Sequence, residues 1–600
     1  MPKYSPRVFL SWLLLLLLTA LLAPTAFANS SRPQQTHPAR QVAVTDAPGI
    51  DPGYIYQQLD TMVTQFQQRE AGYDNNLPAS VNGHDEFANY WAQEMLRLLG
   101  SYGATLHRDS FPIAGWTGRP PTRQAFNVEV TVPGALHPEQ VVVIGCHYDG
   151  MAFSGQSAND DASGCAIELG VAKAMSEFWT RHHLYPARTL RFVIFDAEEQ
   201  GLFGSFHYVN NTVNGDLKNI VAMFNEEQNG IAYPLRYLGK MANALMPYYI
   251  DMSPLQNNSL YPRQDKLSAQ QRTNIVLFRQ LIQQAVVSSF QQFRAMGDQM
   301  LTYHSGSQQD SWQPIFTPDH LSYIHQGDDT IGSSDQMPFT LAGLPCATLV
   351  GNSTYYNPDA PAGSYPYDQP QDTLQLMNIF ADGNTQQSQA LTLALALPGM
   401  ITTTMLSSPT ILGSVSATAP IAAISSIGIS EPGQAMSFDG AASYDPLHKD
   451  SALSYAWTFG DGGNATGQRV SHTYAHSGNY TLHLTVSSAA GGTQTISRQL
   501  SIGVPTTYNN PYGGYSSDGM PQSNPRVVLP TADASLSDQI GTVAKAAQVG
   551  TIASNTGNTA IPPGLSLQSP GGIILLSVLI GVALLVIAGL LVARRRRRRA

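Results

Sequence analysis

Hydrophobic positions between about residues 52 and 402 follow two patterns that alternate along the chain. Apolar residues three and four positions apart, typical of helices, occur in GYIYQQLDTMVTQFQQREAG and in DEFANYWAQEMLRLLGSYG. Short apolar runs typical of buried strands are NVEVTV, VVVIGC, LRFVIF, NIVAMF and PCATLVG. Strands that alternate with helices predict an α/β domain with a mostly parallel central sheet flanked by helices. Residues 231–330 are predicted to be an insertion, with one helix around RTNIVLFRQLIQQAVVSSFQQF.

A different pattern begins near residue 415. Segments such as SYAWTFGDGGNATG and VSHTYAHSGNYTLHLTVSSA alternate polar and apolar residues by two, with Gly, Asp and Asn at the turns. This pattern predicts a small all-β, immunoglobulin-like sandwich over residues 415–503. Because a Pro-containing linker precedes it, we expect the sandwich to fold separately.

The two ends of the chain carry apolar runs with targeting signals. Residues 1–28 combine Lys3 and Arg7, a leucine run and a small-x-small site, which predicts a signal peptide; an uncleaved anchor is the alternative. Residues 573–593 are long and apolar enough for a transmembrane helix, and the arginines of the tail 594–600 hold that end in the cytoplasm. Segments 29–51 and 504–569 read as a disordered leader and stalk. The expected localisation is the cell membrane, with a single span and extracellular domains.

Composition narrows the range of partners and the disulfide content. At 600 residues the chain is too long for one core. A net charge of −10 argues against nucleic acid as the main partner. Cys146, Cys165 and Cys346 are too few for a disulfide scaffold, and each lies in an apolar stretch. We therefore expect buried free thiols, with one disulfide as the alternative.

Side chains able to bind a metal follow three of the predicted strands. His147 and Asp149 come directly after VVVIGC, Glu198 and Glu199 follow LRFVIF, and Glu227 follows NIVAMF. In open parallel sheets, ligands gather outside the carboxyl ends of the strands. Asp149, two residues beyond His147, is placed to orient the imidazole.

Each of these residues also has an ordinary structural explanation. A strand-end histidine is often structural, DAEE alone could be a solvated turn, and an aspartate of Asn159-Asp160-Asp161 is suited to cap the following helix. Several such residues at one sheet edge are better explained by a metal site.

The order of these motifs resembles the co-catalytic zinc exopeptidases of metallopeptidase clan MH, which include secreted bacterial aminopeptidases, aminopeptidase Y and glutamate carboxypeptidase. The motifs are HYD, NDDASG, DAEEQGLFGS and NEEQNG, and the resemblance runs from about residue 52 to 402. It implies that His147 binds one metal ion and that Asp160 bridges two. It also implies that Glu199 and Glu227 are ligands and that Glu198 is the general base that takes a proton from the attacking water.

Two positions depart from the family pattern. Gln336 stands where a histidine is common, and Asp368 of YDQPQDTL stands where the family has its last histidine ligand. Substitutes for that ligand could come from His304, His320 or His325. With Asp368, four carboxylates and one imidazole form a harder donor set, so we expect zinc to bind with a weaker second site that also accepts manganese or cobalt.

The run WTFGDG followed by HTYAHSGNY resembles the PKD (polycystic kidney disease) domain, whose expected ligand is a protein or a polysaccharide. Together the features predict a membrane-anchored extracellular metallo-exopeptidase that acts on peptides, with aminopeptidase activity favoured. A non-catalytic peptidase-like ectodomain and a glutaminyl cyclase-type enzyme are the alternatives. Whether the enzyme reads the free amine or the free carboxylate end stays open.

Overall fold

The computed structural model describes residues 47–72, 83–114, 122–151, 154–231, 248–301, 318–330, 334–351, 365–366, 368–382, 386–425 and 431–503. The predicted signal peptide, most of the leader, the stalk, the transmembrane helix and the basic tail lie outside these residues.

An eight-stranded mixed sheet forms the centre of the α/β domain. The strands of this part of the chain, including β4 outside the sheet, are β1 (Thr105–Ala114), β2 (Thr122–Val132), β3 (His137–His147), β4 (Tyr185–Pro186), β5 (Arg188–Phe195), β6 (Ile220–Glu227), β7 (Tyr248–Met252), β8 (Ile324–Asp328) and β9 (Cys346–Val350). Their order in the sheet is β1-β2-β5-β3-β6-β9-β7-β8. The inner ladders β5–β3, β3–β6 and β6–β9 are parallel, as predicted, while antiparallel ladders join β1, β2 and β5 on one side and β9 and β7 on the other.

Helices cover the sheet. Their bounds are α1 (Pro52–Gln65), α2 (His84–Leu99), α3 (Ser163–His182), α4 (Phe203–His207), α5 (Ala269–Leu301), α6 (Gln336–Leu341), α7 (Leu374–Asp382), α8 (Gln389–Ala394) and α9 (Ala396–Ser407). The largest hydrophobic core lies between α1, α2, α3 and one sheet face, and a smaller core lies on the opposite face. All residues of β5 and β6 are buried, as expected for central strands covered on both faces.

Local sequence explains where α1 begins and which side it buries. Asp51 caps the helix by accepting a hydrogen bond from the N–H of Tyr54 at 3.1 Å, and Pro52 occupies the first helical position. Ile55, Leu59 and other apolar residues at helical spacing are buried, so the predicted amphipathic pattern faces the core.

Residues 231–330, predicted as an insertion, are built into the sheet instead. Strands β7 and β8 pair with each other and β7 joins β9, so the segment supplies one sheet edge. The predicted helix is present as α5, which packs against α8 and α9. The segment that was predicted as an insertion therefore coincides with the change from parallel to antiparallel pairing between β9 and β7.

Two of the three cysteines are paired. Cys146, beside His147 at the end of β3, forms a disulfide with Cys165 in the first turn of α3. The expectation of free thiols was therefore wrong for this pair and correct for Cys346, which is buried. Apolar surroundings suit a disulfide and a thiol equally well, so the sequence pattern did not distinguish them.

The C-terminal β-sandwich is present as predicted. One sheet pairs β11 with β14, and the other has the order β13-β12-β15-β16. Its core includes Trp457, Phe438 and Tyr474 and is separate from the cores of the α/β domain. The strands from the linker onward are β10 (Ser414–Val415), β11 (Ala435–Asp439), β12 (Leu453–Thr458), β13 (Asn464–Thr466), β14 (Arg469–Thr473), β15 (Gly478–Ser488) and β16 (Thr493–Ile502).

The sandwich is docked on the α/β domain. Strand β10 of the linker pairs with β4, and the Arg188 guanidinium donates to the carbonyl of Pro409 at 2.7 Å. From β16, Gln494 donates to the carbonyl of Gly134 at 3.0 Å. These contacts lie near the first residues of β3 and β5, at the opposite end of the sheet from the carboxyl ends of those strands.

Among the described residues, one helical stretch, Gln389–Ser407, is long and apolar enough to cross a membrane. It comprises α8 and α9 and is 89% buried within the protein, which is typical of a core helix.

Candidate metal centre

The predicted metal-binding residues meet at the carboxyl edge of the central parallel strands. His147 is the last residue of β3, and Glu227 is the last residue of β6. Glu198 and Glu199 follow the end of β5 in a turn. Because β3 runs parallel to both β5 and β6, all three strands deliver their last residues to the same edge.

Five side chains form two groups that share one member. Oxygen and nitrogen atoms of His147, Asp160 and Glu227 lie within 4.8 Å of one another, and so do oxygen atoms of Asp160, Glu199 and Asp368. In the first group, His147 Nε2 lies 2.9 Å from Asp160 Oδ1 and 3.7 Å from Glu227 Oε1. We call the five residues the donor cluster. Every ligand predicted from the sequence belongs to it, and the shared position of Asp160 is the one expected of a bridging carboxylate.

Repulsion within the donor cluster fits a bound cation. Burial raises the pKa of Asp160 well above its usual value, and the charges of Asp368 and Glu227 raise it further. Desolvation likewise raises the pKa of Glu199, again with Asp368 and Asp160 contributing. Asp368 Oδ1 is buried without a hydrogen-bond partner. A metal ion would offset this repulsion and satisfy that oxygen, so the residues present fit such a group.

Asp149 supports both the imidazole and the turn that carries the paired glutamates. Its backbone carbonyl lies 3.2 Å from His147 Nδ1, within hydrogen-bond distance, and its Oδ1 lies 3.5 Å from the same nitrogen. Its two carboxylate oxygens also accept hydrogen bonds from the backbone N–H groups of Glu198 at 3.1 Å and Glu199 at 3.2 Å. The sequence showed the first relationship through the H-x-D spacing but gave no sign of the second.

Glu198 belongs to neither ligand group and remains partly exposed. Desolvation raises the pKa of its carboxyl group well above the usual value; Glu227 and Asp335 add to this effect, while His147 opposes it. A carboxylate that lies beside a ligand cluster without belonging to it is suited to accept and return a proton.

Two hydrogen-bonding residues of the site, Asp372 and Ser334, were missed in the sequence, and a third, Asp161, was considered only as a possible helix cap. Asp372 accepts from the backbone N–H groups of Asn159 and Asp160, and Ser334 donates to Glu227 Oε2 at 2.5 Å. Asp161 accepts from the N–H groups of Gly164 and Gln228. The bond to Gly164 is the local helix-start contact expected of an aspartate there, whereas the other partners are distant in sequence.

Gln336 and His325 belong to neither ligand group. Gln336 donates to Asp329 Oδ2 at 2.8 Å and accepts from Asn225 Nδ2 at 3.4 Å, and Asn225 also donates to Ser334, the donor to Glu227. His325 lies on β8 with its ring 5.1 Å from that of Tyr249 and belongs to neither ligand group. His304 lies outside the described residues.

Comparison with known families gives one match within the α/β domain and one over the sandwich. The model of Peptidase family M28 matches residues 127–331, and that of the PKD domain matches residues 417–504. Among curated proteins, Carboxypeptidase Q of Homo sapiens is 38% identical over 88 residues, covering 15% of this chain and 18% of its own. Aminopeptidase YwaD of Bacillus subtilis is 34% identical over 97 residues, covering 16% and 20%. The chain thus spans a fifth or less of the length of these two relatives.

Solved structures align over a larger part of the chain at low scores. BSAP, a zinc aminopeptidase from Bacillus subtilis, aligns at 14% identity over 61% of this chain and 97% of that chain, with a TM-score of 0.38. Macrostomum lignano glutaminyl cyclase aligns at 14% identity over 64% and 96%, with a TM-score of 0.39. At such scores neither alignment distinguishes one activity from the other.

Proposed function

Because the chain carries a Peptidase family M28 domain followed by a PKD domain, we propose that it is a cell-surface metallo-exopeptidase that removes residues from the amino end of peptides. The observation that carries this proposal is the convergence of the donor cluster beside Glu198 at the carboxyl edge of the sheet. A binding ectodomain without catalysis would have no need to keep five donors and a separate carboxylate at this edge.

The donor cluster fits zinc, because imidazole and carboxylate groups are its usual ligands in catalytic sites. His147, Asp160 and Glu227 would hold one ion, and Asp160, Glu199 and Asp368 would hold a second. The excess of carboxylates makes the second position tolerant of manganese or cobalt. When bound, the ions supply Lewis acidity, which activates a water molecule and polarises the scissile carbonyl.

Glu198 supplies the proton transfers. Its carboxylate takes a proton from the attacking water and returns it to the leaving amine. Asp149 contributes by holding the backbone of the turn, since its carboxylate accepts the N–H groups of both Glu198 and Glu199. The general base and its neighbouring ligand therefore keep a fixed spacing during the reaction.

Recognition of the free amine is proposed from the likeness to aminopeptidases such as Aminopeptidase YwaD of Bacillus subtilis. The carboxylates around Glu198 and Glu199 would be offset by the bound ions, so the choice of the amino end is tested with substrates.

The extracellular, membrane-tethered location rests on the sequence. The predicted signal peptide directs the chain out of the cytoplasm, and the apolar run 573–593 followed by arginines supports a single span. A protein or polysaccharide ligand for the PKD domain stays a prediction.

A matched set of substrates tests the proposed activity. We expect the zinc-loaded protein to cleave an aminoacyl p-nitroanilide and to leave its N-acetylated form intact. Release of the last residue from a peptide with a blocked amine would identify a carboxypeptidase instead. Ammonia release from a peptide that begins with glutamine, without release of free amino acids, would identify a cyclase.

A further inference from the structure

Asp372 links two ligand-bearing segments that are far apart in sequence. Its Oδ1 accepts a hydrogen bond from the N–H of Asn159 at 2.8 Å, and its Oδ2 accepts one from the N–H of Asp160 at 3.0 Å. The side chain is 0% exposed. We propose that Asp372 is a positioning residue that keeps Asp160 and Asp368 in the spacing required by the second ion; this inference rests on the proposed function.

Asp372 lies in the same loop as Asp368, four residues after it. The N–H of Asp372 donates to the carbonyl of Gln369 at 2.9 Å, so the loop turns back on itself just after Asp368. The Tyr365 hydroxyl donates to Asp372 Oδ1 at 2.6 Å and holds the carboxylate from the other end of the loop. Asp372 therefore has a fixed position relative to Asp368.

Hydrogen bonds of Asp161 and Asn159 also hold Asp160 next to Glu227, a member of the first ligand group. Asp161 Oδ1 accepts the N–H of Gln228 at 3.0 Å, directly after Glu227. Asn159 donates through Nδ2 to the carbonyl of Asn229 at 2.8 Å. These bonds keep Asp160 beside Glu227 without Asp372. Loss of Asp372 therefore affects the spacing of Asp160 and Asp368 and leaves the first group in place.

The substitution Asp372→Asn probes this arrangement with little change in volume. Two backbone N–H donors point at two carboxylate oxygens, whereas an amide offers one oxygen and one NH₂ group. One N–H group must then face another donor in a fully buried place. The loop of Asp368 is expected to shift away from Asp160, because the helix-start segment is still held by the bonds of Asp161 and Asn159.

The test is calorimetric titration of the full chain, stripped by a chelator, with zinc ions. We expect wild-type protein to bind two ions, and Asp372→Asn to bind the second about 10–100-fold more weakly while the first changes less than about twofold. Asp445→Asn is the matched control. Asp445 is likewise buried and accepts two backbone N–H groups, at 2.9 and 3.1 Å, but it lies in the PKD domain. It should leave both affinities unchanged.

The measured zinc affinities either support or contradict the positioning role of Asp372, and the test does not require enzymatic activity. Equal affinities in wild type and Asp372→Asn would overturn the positioning role and leave the proposed peptidase intact. Wild-type protein that takes up fewer than two ions would overturn the second site itself, and the positioning role with it. If Asp372→Asn does not fold, Tyr365→Phe removes only the hydroxyl donor to Asp372; a selective loss of second-ion affinity of about threefold would support the proposal, and no change would contradict it.

Discussion

Arg498 of the C-terminal sandwich and Glu129 in β2 of the central sheet form a buried ion pair, with 3.1 Å between Nη2 and Oε1. Glu129 Oε2 also accepts from the Tyr208 hydroxyl at 2.7 Å, and Arg191 Nε lies 3.9 Å from Oε1. Burial disfavours the carboxylate, but Arg191 and Arg498 hold the pKa of Glu129 well below its usual range. The buried charge of Glu129 in the α/β domain is thus partly compensated by an arginine of the sandwich.

Removing the cation from this pair should destabilise the α/β domain as well as the sandwich. Arg498→Met leaves Glu129 buried with a weaker partner, and we expect the free energy of unfolding to fall by about 3 kcal/mol in urea titrations. Arg469→Met is the control, because Arg469 pairs with Asp439 in the same domain but is 73% exposed. It should cost less than about 1 kcal/mol. Equal losses from the two variants would show that the Arg498 contact does not connect the domains energetically.

The pH dependence of stability should carry a contribution from His84. Its Nε2 lies 2.9 Å from Asp196 Oδ1 and its Nδ1 lies 2.8 Å from Asp85 Oδ1. Burial alone would lower the pKa of His84, but the charges and hydrogen bonds of Asp196 and Asp85 raise it to about 9. Since the pKa is raised in the folded protein, the stabilisation is complete below about pH 6.5 and is lost as the pH rises through about 9.

We therefore expect wild-type protein to lose about 2–3 kcal/mol more stability between about pH 6 and pH 10 than the His84→Gln variant does. Urea titrations of both proteins at each pH measure this difference. Parallel pH profiles for the two proteins would mean that the pKa of His84 is not raised in the folded protein.

The role of Asp368 is best tested by asparagine. Asp368 has a φ of 58°, in the left-handed region that asparagine tolerates better than alanine does. Asp368→Asn should keep the loop in place and remove one charged donor, so metal analysis should show loss of the second ion and retention of the first. Asp328→Asn, a partly exposed acid on β8 paired with Arg279, is the control and should keep both ions. Unchanged ion content in Asp368→Asn would exclude Asp368 as a ligand.

Three of the five residues of the donor cluster could be predicted to lie together from local motifs at strand ends. His147, Glu199 and Glu227 each follow an apolar run, and parallel strands bring such ends together whatever the rest of the fold is. Asp160 and Asp368 needed the family resemblance in addition, since neither follows a strand.

The supporting contacts could not be predicted in the same way. Asp372 accepts hydrogen bonds from backbone N–H groups more than 200 residues away. Every residue except proline has such a group, so the sequence does not show which one a side chain will contact. The docking of the sandwich had one signal: Arg498 shares its alternation with Ile496 and Leu500, both buried, so an arginine occupies an inward-facing position of β16. An arginine at such a position needs a buried partner, but only the structure identifies Glu129 as that partner.

Turnover of the Glu198→Gln variant, measured with the ion content of the same sample, tests the proposed chemistry most directly. Glu198 lies beside the donor cluster without belonging to it, so the variant should bind zinc as wild type does. Its rate of release of an amino-terminal residue should fall by roughly 10²–10⁴-fold, because the proton acceptor is gone. Full ion content with this loss of rate is the predicted result. Full ion content with wild-type turnover would contradict the assignment of Glu198 as general base.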